Sequence, residues 1–167
     1  MHTLYLLSVW IHILTAMLWL GGALFISLVI APALRRPASR QAALATVQAI
    51  GPGLRHLGWM SFLVLLLTGL MNIIGRWGSL APLAHAEFWR TPATHAFAGK
   101  LLLFVVILGL SAVHDFNIGP RAADLAVSAP GRPETLRLRR WAAWLGRVNV
   151  LLGLVVVACA VIVVRGW

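Results

Sequence analysis

Four long apolar runs constrain this chain more than any other feature. They cover residues 4–33, 57–74, 96–114 and 141–164 of a 167-residue sequence. A helix needs about 20 apolar residues to cross about 30 Å of hydrocarbon, so each run can span a bilayer, two of them near the short limit. Backbone groups in lipid must be satisfied internally, and the alternation of barrel strands is missing. We therefore predict an all-α, integral membrane four-helix bundle, with residues 1–167 forming one transmembrane domain.

The composition excludes several other classes of protein. Hydrophobic residues make up 60% of the chain and charged residues 11%, whereas soluble domains are about 25% charged. A water-soluble enzyme and a disordered chain are both excluded. Cys159 is the single cysteine, so a disulfide framework is excluded as well. The sequence carries no nucleotide-binding or hydrolase motif.

The net charge of +10 follows from basic residues in two connections. These are Arg35, Arg36, Arg40 and Arg55 in one connection, and Arg121, Arg132, Arg137, Arg139, Arg140 and Arg147 in the other. This placement is the positive-inside pattern, which predicts a multi-pass protein of the bacterial inner membrane with both termini in the periplasm. The partner it indicates is the lipid bilayer, including anionic headgroups near Arg137 to Arg140, and no nucleic acid.

Small and polar residues recur every three or four positions in each run, which places them on one helix face. In membranes such faces meet other helices, because small residues allow close approach and polar groups need partners. We expect four interior stripes: Ser8, His12, Thr15, Trp19 and Gly22; Ser61, Thr68 and Asn72; Lys100, Phe104, Ile107, Ser111 and His114; and Ala142, Gly146, Asn149, Gly153 and Ala160.

Three ionisable residues inside the runs are candidate functional groups, because such residues are costly in lipid. His12 lies about 12 Å from the start of its run and Lys100 about 8 Å from the start of its own, so we expect the two to face each other inside the bundle. His114 lies at the opposite end of the third run. The alternative is structural: a neutral His12 bonded to Ser8, Thr15 or a neighbouring helix, and a Lys100 that snorkels.

Copper and haem are the ligands that an intramembrane imidazole suggests. Soft sulfur ligands select Cu(I), and Met71 and Cys159 both fall near the expected level of His12. Cys159 lies off the small-residue stripe of its helix, so Met71 is the sulfur ligand that we predict. Ser8 and Thr15 are the hydrogen-bond partners expected to orient the ring of His12.

The first run also carries a recognisable motif. His12 precedes Trp19-Leu20-Gly21-Gly22 by seven residues, and Ile30-Ala31-Pro32-Ala33, Gly99-Lys100-Leu101 and Gly146-Arg147-Val148-Asn149 follow in order. This pattern resembles the copper-resistance-D-like (CopD) family of four-helix membrane proteins. The resemblance implies copper handling or transport centred on His12 and Lys100, with a periplasmic copper-binding protein as a possible partner.

The same pattern is similar to HemJ-type protoporphyrinogen oxidases. That resemblance implies haem b as cofactor. A histidine in the first helix and a lysine in the third are thought to be important in that group, and they correspond to His12 and Lys100. Three hypotheses follow. The first is copper handling through His12 and Lys100, with His114 and Met71 as further ligands. The second is a haem b redox protein with its own redox partner. The third is a structural membrane subunit without a cofactor.

Overall fold

The chain folds into four long antiparallel helices. The structure, a computed structural model, describes residues 2–129 and 131–165, without the side chain of Arg40. The helices are α1 (His2–Phe25), α2 (Pro37–Trp77), α3 (Pro92–Val113), the shorter α4 (Gly119–Ser128) and α5 (Pro133–Arg165), and no strand occurs in these described ranges. Four segments are long and apolar enough to cross a membrane: His2–Ala33, Gln41–Trp77, Pro92–Ser128 and Pro133–Arg165. The predicted all-α membrane bundle is confirmed.

Local sequence explains where the helices begin and end. Helices α2, α3 and α5 each start with a proline, whose missing N–H costs nothing in the first turn. Thr91 and Thr94 cap the start of α3. The Thr91 hydroxyl accepts a hydrogen bond from the backbone N–H of Thr94, and the Thr94 hydroxyl accepts one from the backbone N–H of Thr91. Helix α2 ends at Gly78, whose φ of 77° is the left-handed conformation that glycine adopts without strain.

Two helices are longer than the sequence predicts. Helix α5 starts at Pro133 rather than near residue 141. Helix α2 starts at Pro37 rather than near residue 57 and runs through Gly51-Pro52-Gly53. Glycine and proline are strong helix breakers, so these three residues predict the end of a helix. That prediction is wrong: proline removes one backbone hydrogen bond, and the helix continues on both sides of it although Pro52 is exposed. The second basic connection contains α4, and a turn over residues 129–132 separates it from α5.

Two π-helical segments interrupt the helices at the same end of the bundle. They are Ile26–Ile30 after α1 and His114–Ile118 after α3. A side chain at Gly119 would meet the carbonyl oxygen of His114 at 2.8 Å, so glycine is required where the second π segment joins α4. We call this the arginine-rich end, and the opposite end, where both termini lie, the terminal end.

The helices pack as two antiparallel pairs, α1 with α2 and α3 with α5. The pairs meet where Gly153 of α5 faces Trp19 of α1, since a Cβ at Gly153 would lie 3.0 Å from the Trp19 ring. Helices α2 and α3 approach less closely, and aromatic rings fill the space between them. Phe62, only 4% exposed, lies 5.2 Å from Trp19 and 6.0 Å from Phe104 between ring centroids.

The four predicted interior stripes are confirmed, because every residue in them is buried or half-buried. The positions between them carry large apolar side chains that face outward, such as Leu102 at 67% exposure and Val105 at 63%. A water-soluble bundle would place polar residues there. The outer surface is therefore suited to lipid.

We expect Gly153→Leu to lower the free energy of unfolding by about 1–3 kcal/mol, because the added side chain must displace Trp19 and Leu20. Gly109→Leu is the matched control, since a Cβ there has no neighbour within 4 Å. Thermal unfolding of both variants in the same detergent measures the difference. Equal loss in the two variants would contradict the α1–α5 contact.

The positive-inside pattern predicts that the arginine-rich end faces the cytoplasm. In a Cys159→Ser background, Ser128→Cys should react with a membrane-impermeant maleimide only after lysis. Ser79→Cys, in the exposed connection between α2 and α3 at the terminal end, should react in intact cells. The reverse pattern of labelling would overturn this orientation.

Candidate intramembrane metal site

A hydrogen bond between α1 and α2 sets the protonation of His12. The Thr68 hydroxyl lies 2.6 Å from the carbonyl oxygen of Val64, so its proton is donated to that carbonyl. The same hydroxyl oxygen lies 2.7 Å from Nδ1 of His12. Since the hydroxyl proton is already used, the oxygen accepts from Nδ1–H. The hydrogen-bond pattern therefore assigns the proton of the neutral ring to Nδ1 and leaves the lone pair on Nε2.

The surroundings of the ring hold this arrangement. Ser8, 3% exposed, donates to the backbone carbonyl of Thr68 at 3.2 Å, which ties α1 to α2 one turn away. A Cβ built on Gly69 lies 3.7 Å from Cε1 of His12, so α2 presents bare backbone to the ring. Within the described residues, the side-chain hydrogen bond of the ring is the one that joins Nδ1 to Thr68, and the backbone of Leu65 on α2 also lies near the ring. An imidazole held at Nδ1 with a free Nε2 is the arrangement of a metal-ligating histidine.

As the partners that orient the His12 ring we expected Ser8 and Thr15, on its own helix, and that expectation is wrong, because the partner is Thr68 on α2. A bond to a neighbouring helix was the alternative that the sequence left open, and it is the one observed. Ser8 contributes instead by bonding to the backbone beside Thr68. The polar stripe of the second run included Thr68, but the stripe alone gave no means of pairing it with His12.

Lys100 and Cys159 lie at the level of His12. Gly153 faces Trp19, and Asn149 donates to Ser111 at 2.9 Å. These contacts fix which residues of the neighbouring helices share a depth. Counting from them toward the terminal end at 1.5 Å per residue places His12, Lys100 and Cys159 at about the same depth. The bundle thus places an imidazole, an amine and a thiol from three helices at about the same depth.

Other candidate ligands are distributed differently. Met71 is 49% exposed, which puts its side chain on the outer surface of the bundle, whereas Cys159 is half-buried. The sequence pattern favoured the opposite choice of sulfur. The described residues include no cluster of three or more His, Cys, Asp or Glu side chains able to hold a metal. A metal at His12 would therefore have few protein ligands, a coordination that Lys100 could complete only as a neutral amine.

His114 belongs to a separate group at the arginine-rich end. Its Nδ1 lies 2.8 Å from one carboxylate oxygen of Asp115, and Trp59 donates to the other oxygen at 3.0 Å. Fourteen residues of helix separate His114 from Lys100, a rise of about 21 Å. His114 therefore does not share a site with His12.

The fold and these residues define a multi-pass membrane protein with a polar cluster inside its helices. The model of a family described as a domain of unknown function, DUF4149, matches residues 14–130. An uncharacterized protein of Aquifex aeolicus (strain VF5) is 31% identical over 163 residues, which is 96% of each chain. The chain belongs to the DUF4149 family. Neither description names a ligand or an activity, and no solved structure matches the chain.

The protonation of His12 is directly measurable. In ¹⁵N-histidine-labelled protein, the His12 resonances, identified by their loss in His12→Ala, should show a neutral ring protonated at Nδ1. Thr68→Val removes the acceptor, so we expect a mixture of tautomers and a loss of about 1 kcal/mol in unfolding free energy.

Thr46→Val is the matched control for this experiment. Thr46 also bonds to the carbonyl four residues earlier, at 2.9 Å, but it is exposed and meets no other helix. We expect Thr46→Val to leave the His12 resonances unchanged. A wild-type ring protonated at Nε2 would contradict the assignment.

Proposed function

We propose that this protein handles copper as cargo and binds Cu(I) within the membrane at Nε2 of His12 and the sulfur of Cys159. The observation that carries the proposal is the Nδ1 bond to Thr68, which leaves a free nitrogen donor at the depth of the chain's single thiol. Cu(I) is a soft ion that accepts imidazole and thiolate ligands. The resemblance of the first-helix motif to copper-resistance-D-like proteins supports the same ion.

The charges near His12 are compatible with this ion. Binding of Cu⁺ to the thiol releases one proton and forms a Cu–S bond, because the thiolate is the ligand. The Cu⁺–thiolate unit carries no net charge and His12 is neutral. Lys100 therefore meets no additional positive charge when the ion binds, although an isolated cation beside its ammonium would be repelled.

The terminal end is the expected route of copper. His12 lies about 12 Å from the start of its apolar run. At the same end, the exposed His85 lies in the connection between α2 and α3, and the exposed His95 lies near the start of α3. If the positive-inside pattern sets the orientation in a bacterial inner membrane, this end faces the periplasm. A periplasmic copper-binding protein is then the fitting partner.

Haem b is the second candidate, favoured by the similar depth of Lys100 and His12 inside the bundle. His12 would supply an axial nitrogen through Nε2, and Lys100 would supply either a second ligand or a cation for a propionate. Haem b provides one-electron iron chemistry when bound. The resemblance to HemJ-type oxidases supports this alternative, in which the protein has a redox role and a redox partner.

Copper and iron content of protein purified in mild detergent tests the proposal. We expect about one Cu(I) per chain after anaerobic loading, and loss of at least tenfold in occupancy in His12→Ala and in Cys159→Ser. His85→Ala is the control, because His85 is exposed and lies outside the bundle. We expect it to retain full occupancy.

Other outcomes identify the alternatives. A Soret band in the purified protein that is lost in His12→Ala would replace copper with haem b. Full copper occupancy in His12→Ala would place the metal elsewhere. Protein that binds neither metal nor haem would show that the His12–Thr68 bond is structural, as in a subunit without a cofactor.

A further inference from the structure

A large cavity opens at the arginine-rich end, away from His12. Its volume is about 2230 Å³, and α1, α2, α4 and α5 contribute to its walls. This exceeds the roughly 300–1,000 Å³ of pockets for drug-sized molecules. Both π-helical segments line it, through Ile26 and His114 among others. Such segments are frequent at functional sites.

Arginines from three parts of the chain surround this cavity. They are Arg35, Arg55, Arg137, Arg139, Arg140 and Arg147. The whole sequence has four acidic residues against fourteen basic ones. Asp115 and Asp124 also line the cavity. Among the residues that the structure describes, the contact of His114 with Asp115 is the sole one within salt-bridge distance. The described guanidinium groups therefore make no direct contact with a carboxylate.

Two of these arginines lie on different helices at about the same depth. Phe62 and Gly153 both contact Trp19. About two helical turns further toward the arginine-rich end lie Arg55 on α2 and Arg147 on α5, so equal rise places them at about the same level. Toward the bundle centre the walls are mainly apolar at Leu18, Trp19, Gly22, Leu57 and Phe62, with Ser61, Ser111 and Asn149 as the polar residues at that depth.

We propose that this cavity binds one anionic phospholipid from the surrounding leaflet. Its phosphate lies between Arg55 and Arg147, and the start of an acyl chain packs against the apolar wall at Gly22. Guanidinium groups bind phosphate oxygens in bidentate geometry. Burial of an acyl chain against the apolar wall adds binding free energy that a free anion cannot gain. The site is independent of the copper site at His12.

The test is native mass spectrometry of delipidated protein titrated with dioleoyl phosphatidylglycerol, dioleoyl phosphatidylcholine or inorganic phosphate. We expect one phosphatidylglycerol molecule to bind per chain, and phosphatidylcholine to bind much more weakly. Arg55→Gln combined with Arg147→Gln should lower the affinity for phosphatidylglycerol by about tenfold or more. Arg36→Gln combined with Arg121→Gln removes the same charge from exposed arginines that do not line the cavity. This control pair should bind within twofold of the wild type.

A second pair of variants tests the acyl chain without altering charge. Gly22→Phe adds a ring in the open space of the cavity and should weaken phosphatidylglycerol, whereas Gly21→Phe, exposed and outside the cavity lining, should not. Equal losses in the two arginine pairs would show generic surface attraction and overturn the proposal. Equal binding of phosphatidylcholine, or inorganic phosphate that competes for the site equally well in wild type and Gly22→Phe, would also overturn it.

Discussion

The hydrogen bond from His12 to Thr68 is the interaction on which the rest of this structure depends. In hydrocarbon no water can satisfy the ring, so an unpaired imidazole N–H costs several kcal/mol. Thr68 accepts that proton because its own hydroxyl is committed to Val64. One bond thereby fixes the protonation of His12, the register of α1 on α2, and the direction of the free Nε2.

Sequence periodicity predicted much of this arrangement. The four stripes of small and polar residues are the buried faces of the bundle. In lipid, a small residue allows close packing and a polar residue finds a hydrogen-bond partner only where it faces another helix. The depths of His12 and Lys100 followed from residue counting along helices. The sequence did not predict which helices pair, so it could not name Thr68. It favoured Met71 as the sulfur ligand, whereas the copper proposal uses the half-buried Cys159 because Met71 is 49% exposed. The helix break that Gly51-Pro52-Gly53 predicts does not occur, because the long helix on both sides outweighs the one backbone hydrogen bond that proline removes.

The two ends of the bundle differ in packing. At the level of His12, bare backbone at Gly69 and the bond between Ser8 and Thr68 bring the first two helices together. At the arginine-rich end the helices separate around a cavity, and the π-helical segments lie at the separation. A closely packed polar level and an open charged end are about 20 Å apart, so a bound ion at one and a bound lipid at the other need not interfere.

The central claim is that His12 and Cys159 together bind one copper ion within the membrane. X-ray absorption at the copper K-edge of Cu(I)-loaded protein reports the atoms bonded to the ion. The account predicts a low-coordinate Cu(I) with one sulfur and at least one imidazole nitrogen, and loss of the sulfur in Cys159→Ser. A shell of nitrogen and oxygen alone in the wild type, unchanged by His12→Ala, would contradict it.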